Sequence, residues 1–333
     1  MRSPSDGPAG HAPADSLSVS VAVPIHNEEL VLPELLNRLT AVLNGLPGGP
    51  HEMVFVDDGS RDASLSLLEA AATRDPRIVV VALSRNFGHQ AALSAALDQV
   101  GGDAIVVMDG DMQDRPEEIP RMVATLREGF DVVYAQRIKR KEGTLLRTAY
   151  FLFYRFLTSL SQLRLPLDAG DFSIMSRRVV VQIRSAPEHN RYLRGLRTWV
   201  GFRQTGIQVE RAERFAGKSK YSFGALLRLG FDGIFSFSIV PLRAAAILGA
   251  LGIGASSLFA LYAVYARVIQ GRSPQGFTAL IVVMTFLSGL HLFFLGVIGE
   301  YVGRVYEEVK ARPLYVVGKL IRNGLDVTAT ARR

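Results

Sequence analysis

The sequence contains no cysteine among its 333 residues. Disulfide bonds, thiolate metal sites and a cysteine nucleophile are therefore excluded. It also lacks the G-x-x-x-x-G-K-[ST] motif of P-loop nucleotide hydrolases, and no G-x-G-x-x-G follows its first predicted strand, which disfavours an ATPase and a dinucleotide enzyme. Neither zinc-finger spacing nor an RNA-binding aromatic signature is present, so we expect no nucleic-acid partner.

Charge and hydrophobicity point towards lipid or phosphate instead. The net charge is +7, and 48% of the residues are hydrophobic. A basic chain suits phosphorylated ligands or an anionic membrane surface. Residues 1–16 are rich in Pro, Gly and Ala and lack the apolar core of a signal peptide. We expect a disordered N-terminal lead there.

Two long apolar runs occur near the C-terminus, at residues 244–266 and 276–299, and neither contains Asp, Glu, Lys or Arg. Each exceeds the roughly 20 residues that span a bilayer. They predict a transmembrane hairpin within residues 242–300, and two buried core helices are the alternative. Basic residues before the hairpin and in the tail, 301–333, place both termini in the cytoplasm of a multi-pass inner-membrane protein. Arg267 and Arg272 argue mildly against this orientation.

Residues 17–220 alternate between apolar strands and segments with helical spacing. The strands include "SVSVAVPI", "EMVFVDD", "RIVVVALS", "DAIVVMD" and "DVVYAQ". This pattern predicts an α/β domain with a mostly parallel sheet covered on both faces, which binds ligands beyond the carboxyl ends of its strands. The polar segments "HNEE", "DDGSRD", "SRNFG" and "DGDMQD" follow the first four strands, so four loops converge on one crevice.

Two further apolar segments carry arginines at intervals, at residues 145–163 and 221–241. Such helices are typical of a membrane interface. For the first segment, an ordinary core helix is the alternative.

Paired carboxylates end two of the predicted strands. Asp109 and Asp111 follow the fourth strand, with Gln113 beside them. Oxygen ligands of this kind suit Mg²⁺ or Mn²⁺, although solvated turn residues are the alternative. Asp57 and Asp58 end the second strand and predict contacts to a base or ribose, with a turn and helix cap as the alternative. His26 and His89 are interpreted as turn and helix-start residues rather than ligands.

Seven motifs occur in order along the chain: "VAVPIHNEE", "VFVDDGSRD", "LSRNFGHQAAL", "VVMDGDMQDRPE", "DAGDFSIMSRRVV", "NRYLRGL" and "GKSKY". Together they resemble the polyprenyl-phosphate glycosyltransferases of glycosyltransferase family 2, which include dolichol-phosphate mannose synthases and bactoprenol glucosyltransferases. The resemblance runs from about Ser18 to Lys310. It implies a GT-A fold with a Rossmann-like sheet, a nucleotide-sugar donor and a lipid-phosphate acceptor. Asp109, Asp111 and Gln113 then resemble the ligands of Mg²⁺ or Mn²⁺.

The resemblance also implies roles for other residues, position by position. The expected nucleotide-binding residues are Pro24, Asn27, Glu28, Asp57, Asp58, Arg85, Gly88, Asp109, Gly110, Lys218, Lys220 and Tyr221. The expected catalytic residues are Asp171, Arg191 and Arg194. Helix-surface salt bridges are the alternative for the two arginines. Asp114 departs from the family pattern, because the mannose synthases often carry His there.

The chemistry of a lipid-phosphate acceptor favours cations over a base. The second pKa of a phosphate monoester is near 6, so the acceptor is mostly a dianion at neutral pH and needs positioning rather than deprotonation. The expected acceptor-phosphate residues are Arg137, Lys139, Arg140 and Ser176. A solvated loop facing anionic lipid is the alternative for the basic run. Asp171 is expected to act through orientation or electrostatics as much as by proton removal.

The expected function is therefore inverting, metal-dependent transfer of a hexose to undecaprenyl or another polyprenyl phosphate at the cytoplasmic membrane face. UDP-glucose is the expected donor, and a homotetramer in the membrane is compatible with the resemblance. Two other functions remain open. One is a processive polysaccharide synthase, and the other is a non-catalytic membrane sensor or scaffold that binds nucleotide sugars.

Overall fold

The computed structural model describes residues 17–137, 169–189, 191–209, 240–269 and 276–328. These residues belong to two compact units. The first contains the described residues up to 137, those from 169 to 209, and those from 313 onwards; the second contains the described residues from 240 to 312. The N-terminal lead and the predicted interfacial segments, except for residues 240 and 241, lie outside the described residues. Their boundaries stay predictions.

The first unit is built on one sheet, which has nine strands among the described residues. The strands are β1 (Val19–Ile25), β2 (Glu52–Asp57), β3 (Ile78–Leu83), β4 (Ala104–Val107), β5 (Val132–Arg137), β6 (Ala169–Ser176), β7 (Gln204–Val209), β8 (Val317–Arg322) and β9 (Leu325–Asp326). Their order in space is β7-β5-β6-β4-β1-β2-β3-β8-β9. The five strands predicted from the apolar runs are β1 to β5, and all five are confirmed.

Strands β1 to β4 form the parallel part of the sheet. Every residue of β1, β3 and β4 is buried, which explains why these strands are apolar along their whole length. Strands β2 and β4 pair with opposite edges of β1, so the chain changes direction in the sheet at β1. A crevice opens beyond the carboxyl ends of the strands at such a point.

The sheet is mixed rather than mostly parallel. Strand β6 runs antiparallel between β4 and β5, and β8 runs antiparallel along β3. Of the eight strand pairings, four are parallel and four antiparallel. The prediction of a GT-A α/β sheet is confirmed, and its antiparallel strands come from segments that the periodicity did not identify.

Helices cover both faces of this sheet. They are α1 (Leu32–Gly45), α2 (Ser64–Arg74), α3 (His89–Gln99), a short 3-10 helix (Pro116–Glu118), α4 (Ile119–Arg127), α5 (Arg177–Ser185) and α6 (Leu193–Trp199). Helices α1, α2 and α4 contribute to one apolar core, and α3, α5 and α6 to the other. Helix α1 shows the reason, since its buried leucines recur every three or four residues and form one apolar stripe.

The second unit consists of two long helices that contact each other, α7 (Val240–Val268) and α8 (Phe277–Lys310). By length and composition, one segment among the described residues, Phe286–Lys310, is apolar enough to cross a membrane. Within α7 the apolar stretch Ala245–Phe259 is shorter. The two predicted spans lie on these helices, and the two-span hairpin stays a prediction.

The chain after α8 returns to the sheet of the first unit. Strand β8 pairs with β3, and its side chains of Leu320 and Ile321 are buried. Tyr315 Oη donates to Asp98 Oδ2 at 2.5 Å, and Lys319 Nζ lies 2.6 Å from Glu69 Oε1. The residues predicted to form only a tail therefore include strands β8 and β9 of this sheet.

The return of the chain to the sheet gives a stability test. Leu320 is 5% exposed, so Leu320→Ala should lower the free energy of unfolding by about 2–4 kcal/mol through lost burial and the cavity left behind. Leu325 is 68% exposed, and Leu325→Ala should change it by less than about 0.5 kcal/mol. Denaturant unfolding of the purified protein measures both. Equal losses in the two variants would mean that β8 does not dock as described.

Candidate active site

The loops after β1 and β2 are joined by reciprocal hydrogen bonds. The backbone N–H of Asn27 donates to Ser60 Oγ at 3.0 Å, and Asn27 Oδ1 accepts from the N–H of Arg61 at 2.8 Å. The N–H of Glu28 donates to Ser64 Oγ at 2.9 Å. Asn27 adopts a left-handed conformation with φ of 56°, which asparagine tolerates better than most residues. The predicted nucleotide residues Asn27 and Glu28 thus lie in a braced loop at the crevice.

Asp58 joins the loop after β2 to the loop after β3. Its carboxylate is buried and accepts from the N–H groups of Phe87 at 2.7 Å and Gly88 at 2.9 Å. Gly59 has φ of 65°, and a Cβ there would lie 2.5 Å from the nitrogen of Asn86. The two loops are therefore in backbone contact. Both carboxylate oxygens of Asp58 serve this contact, and its direct role in nucleotide binding stays a prediction.

Asp57 differs from its neighbour. Its side chain is buried, and Oδ2 accepts from the N–H of Ser60 at 3.2 Å. Burial raises the pKa of Asp57, and the hydrogen bonds from Ser60 offset that rise only in part. The other oxygen, Oδ1, is buried and has no hydrogen-bond partner among the described residues. A buried acceptor without a donor is costly, so Asp57 is poised to accept a hydrogen bond from a ligand.

Two more of the predicted nucleotide residues, Arg85 and Gly110, lie in the loops after β3 and β4. The Arg85 guanidinium lies 4.2 Å from the centre of the Phe87 ring and donates to the carbonyl of Asn86. Gly110 packs against the end of β1, because a Cβ there would lie 2.5 Å from Ile25 Cδ1 and 3.0 Å from the carbonyl oxygen of Pro24. Only glycine permits this approach between the loop after β4 and β1.

The β4–β6 register brings two carboxylates together. Val107 pairs with Ser173 in this antiparallel ladder. Extending the register by two residues sets Asp109 opposite Asp171. His89, the first residue of α3, completes the group: its Nε2 lies 3.6 Å from Asp109 Oδ1 and 3.8 Å from Asp171 Oδ2. We call these three residues, together with Arg194, the His–Asp–Arg cluster.

His89 was missed as a site residue in the sequence. It does begin a helix, as predicted, but α3 starts at the carboxyl edge of the sheet, where its first side chain meets both carboxylates. Burial acts to lower the pKa of His89, but its interaction with Asp171 and the negative charge of Asp109 outweigh this and raise it. In the sequence, the feature that points to His89 is its position directly after "SRNFG", the polar segment that follows the third strand.

Arg194 supplies the second positive charge. Its Nε lies 2.8 Å from Asp171 Oδ1, and only 11% of the Asp171 side chain is exposed. Burial acts to raise the pKa of Asp171, but its interaction with His89 and the charges of Arg194 and Arg197 lower it to about 2. Asp171 is therefore a carboxylate throughout the physiological pH range.

Arg191, also predicted to be catalytic, lies three residues before Arg194, ahead of α6, and makes different contacts. Its guanidinium donates to the backbone carbonyls of Ala186 at 2.7 Å, Arg184 at 3.3 Å and Glu188 at 3.3 Å. These bonds satisfy carbonyls near the C-terminus of α5. They account for Arg191 as a structural residue, and its predicted catalytic role has no support from these contacts.

Asp111 and Gln113 lie in the turn beside the cluster. Asp111 Oδ1 accepts from the N–H of Gln113 at 3.1 Å, and Met112 between them has φ of 59°. The predicted metal ligands were Asp109, Asp111 and Gln113. That set stays a prediction. Among the described residues, His89, Asp109 and Asp171 also have the spacing of metal ligands, because their ligand atoms all lie within 4.8 Å of one another.

This donor set fits a divalent cation. Carboxylate oxygens suit Mg²⁺ and Mn²⁺, and imidazole nitrogen is a common ligand of transition metals. Asp171 already contacts Arg194, and this positive charge offsets part of the negative charge that Asp171 would offer to a metal. Asp109 and His89 are therefore the stronger candidates within the group, and Asp111 lies two residues from Asp109 on the same loop.

The predicted acceptor-phosphate residues fall in different places. Arg137 ends β5 at the edge where β6 begins, which is the edge of the site. Ser176 lies at the opposite end of β6, where it pairs with Ala104 and donates from Oγ to Asp131 Oδ1 at 3.1 Å. That position argues against a contact between Ser176 and a phosphate at the site. Other predicted residues lie outside the described part of the chain, namely Lys139, Arg140, Lys218, Lys220 and Tyr221.

Comparison with known proteins agrees with this geometry. The family model "Glycosyl transferase family 2" matches residues 20–184. An uncharacterized glycosyltransferase, YkcC of Bacillus subtilis, is 42% identical over 91% of this chain and 94% of its own length. The bactoprenol glucosyl transferase of Shigella phage SfII is 37% identical over 91% of this chain and 98% of its own.

Among solved structures, glucosyl-3-phosphoglycerate synthase from Mycobacterium tuberculosis aligns with a TM-score of 0.45 and 20% identity, over 66% of this chain and 79% of that one. A likeness at that level says nothing about ligands. The family assignment follows from the sequence relatives, which match this chain over nine-tenths of its length. The chain belongs to glycosyl transferase family 2.

Proposed function

We propose that this glycosyltransferase transfers a hexose from a nucleotide sugar to a polyprenyl phosphate at a membrane surface, with inversion at the anomeric carbon. UDP-glucose is the proposed donor. The observation that carries the proposal is the His–Asp–Arg cluster at the carboxyl edge of the sheet, where carboxylates and cations meet within 4 Å. The relatives named bactoprenol glucosyl transferase support the choice of sugar and lipid.

The donor nucleotide would lie over the loops after β1, β2 and β3. Asp57 offers a buried carboxylate oxygen that has no donor within the described residues, and an N–H group of a base would supply one. Asp58 and Gly59 keep the neighbouring loop in place through backbone contacts. A base would thus meet a rigid acceptor, which favours binding because little ordering is required.

Asp109 and His89 would hold Mg²⁺ or Mn²⁺, together with Asp111 on the same loop as Asp109. A bound divalent cation supplies positive charge to the diphosphate leaving group. Arg194 adds a fixed cation on the other side of Asp171. Positive groups placed where charge develops lower the barrier to bond cleavage.

The reaction itself needs little proton transfer. An oxygen of the acceptor phosphate attacks the anomeric carbon, the bond from that carbon to the diphosphate breaks, and the nucleoside diphosphate leaves with its electron pair. Asp171, with a pKa of about 2, is a weak base, and the acceptor is mostly a dianion at pH 7. Asp171 is therefore proposed to orient Arg194 and His89 around the reacting centre rather than to remove a proton.

The path of the chain supports a membrane hairpin. Strands β1 to β4 precede helices α7 and α8, and strand β8 follows them, yet all belong to one hydrogen-bonded sheet. The chain must therefore cross a membrane an even number of times between β7 and β8. If α8 crosses, then a second segment crosses as well, and α7 is the apolar candidate. In the window Phe286–Lys310 only 6% of the residues are buried, unlike a core helix.

The defining experiment is transfer from a panel of radiolabelled nucleotide sugars to undecaprenyl phosphate by the purified full-length protein. We expect one labelled sugar per lipid from UDP-glucose, loss of product with a chelator, and recovery with Mg²⁺ or Mn²⁺. Asp109→Asn should lower the rate by roughly 100-fold or more. Asp103→Asn is the matched control, because Asp103 precedes the same strand at its other end, bonded to Ser18.

Other outcomes distinguish the alternatives. Several sugars added per acceptor would identify a processive polysaccharide synthase. Binding of UDP without product from any donor would favour the sensor or scaffold. Product formation that survives both chelation and Asp109→Asn would contradict the proposed metal site while leaving the transfer reaction in place.

Asp171→Asn tests the role of the buried carboxylate. We expect kcat to fall by roughly 100-fold, because Arg194 and His89 lose their shared partner, while the Kd for UDP changes by less than about threefold. Isothermal titration and initial rates measure the two quantities. A Kd that rises as much as kcat falls would show that Asp171 binds the nucleotide instead.

The membrane hairpin is tested by cysteine labelling, which the absence of native cysteine makes clean. Ser273→Cys lies between the two predicted spans, and Glu128→Cys lies on an exposed position next to α4. A membrane-impermeant maleimide should label the first variant in intact spheroplasts and the second only after permeabilisation. Labelling of both only after permeabilisation would mean that the helices do not cross.

A further inference from the structure

Arg197 is a buried cation that neither the sequence motifs nor the proposed chemistry uses. It is 3% exposed and is the only buried Arg or Lys among the described residues of the structure. Moving a guanidinium out of water costs several kcal/mol unless a partner offsets the loss. A buried arginine therefore requires a carboxylate or carbonyls nearby.

The contacts of Arg197 point to the peptide that carries Asp171. Its Nη1 donates to the carbonyl of Gly170 at 3.4 Å, and its guanidinium lies 5.2 Å from the centre of the Tyr134 ring. The Gly170 carbonyl belongs to the peptide group that immediately precedes Asp171. Arg197 thus contacts the backbone next to Asp171 through the Gly170 carbonyl.

Charge acts in the same direction as this hydrogen bond. Burial lowers the pKa of Arg197 to about 10, and the carboxylate of Asp171 is the largest influence that raises it. Both residues line one small pocket together with Arg194 and Ser173. Asp171 is therefore the acidic residue that compensates the buried charge of Arg197.

Helix α6 arranges the two arginines. Arg194 and Arg197 are three residues apart, which places them on the same face of the helix. Arg194 contacts the Asp171 side chain directly, with Nε 2.8 Å from Oδ1. Arg197 approaches from the backbone side. Two guanidinium groups from one helical turn thus approach Asp171, one at its carboxylate and the other at the preceding peptide group.

We propose that Arg197 is a positioning residue for glycosyl transfer, which acts through Asp171 by fixing its backbone and sharing its negative charge. The kinetic part of this inference rests on the proposed function. Its structural part, an energetic coupling between Arg197 and Asp171, does not. The two parts are therefore tested by separate measurements.

The kinetic test is a double-mutant cycle. Arg197→Met should lower kcat by roughly tenfold or more, with the donor KM and the Kd for UDP within about threefold of the original. In the Asp171→Asn background the same substitution should lower kcat less than about twofold further, since its partner is already gone. Arg197→Lys, which keeps the charge, should retain more kcat than Arg197→Met.

A merely structural arginine would behave differently. Equal losses of kcat from Arg197→Met in both backgrounds, or a Lys variant no better than the Met variant, would overturn the positioning role. So would a rise in the donor KM that accounts for the whole loss.

Thermal unfolding of the same four proteins tests the coupling without any activity. Arg197→Met and Asp171→Asn should each lower Tm. The loss in Tm of the double variant should be smaller than the sum of the two single losses. Arg178→Met is the matched control, because Arg178 pairs with Asp131 near the far end of β6, so its effect should add to that of Asp171→Asn.

The melting cycle also separates the two hypotheses. If the Tm losses are not additive but no donor supports transfer, the proposed function is wrong and the interaction between Arg197 and Asp171 stands. Additive changes in Tm would overturn the inference whether or not the enzyme is active. If Arg197→Met does not fold, Arg197→Lys takes its place in the cycle.

Discussion

Two carboxylates held across one antiparallel register are the constraint on which the site depends. The register of the β4–β6 ladder, extended by two residues, sets Asp109 opposite Asp171. Two neighbouring carboxylates repel each other unless cations lie between or beside them. Two helices bring groups that offset this repulsion: α3 contributes His89 at its first residue, and α6 contributes Arg194 and Arg197. These neighbours lower the pKa of Asp171, so its carboxyl group remains ionised although it is nearly buried.

Rigid loops make this charge arrangement useful. Asp58 bonds two backbone N–H groups of the next loop, and Gly59 and Gly110 let backbone segments approach more closely than any side chain would allow. Preorganised groups of this kind stabilise a developing charge without having to move during the reaction. The two adjacent carboxylates, Asp57 and Asp58, thus have different tasks. Asp58 braces a loop, and Asp57 keeps a buried carboxylate oxygen that accepts no hydrogen bond among the described residues.

Strand β8 links the two units of the chain in sequence. It follows α8 in the chain and lies beside β3 in the sheet. The chain therefore leaves the sheet, forms the two apolar helices and then returns to the same sheet. Under the proposed function, that return ties the number of membrane crossings to an even value. It also means that the stability of the catalytic sheet depends on residues beyond the apolar helices, such as the buried Leu320.

The sequence alone determined the strands β1 to β5, their covering helices and the carboxylates at their ends, because buried parallel strands are apolar throughout and polar residues mark where they stop. It also carried the motifs of the family. Tertiary structure alone decided that β6 and β8 run antiparallel and that His89 and Arg197 join Asp171, whereas Arg191 and Ser176 do not. Those outcomes depend on strand register and helix direction. Spacing along a chain does not encode either, since both arise from contacts between distant segments.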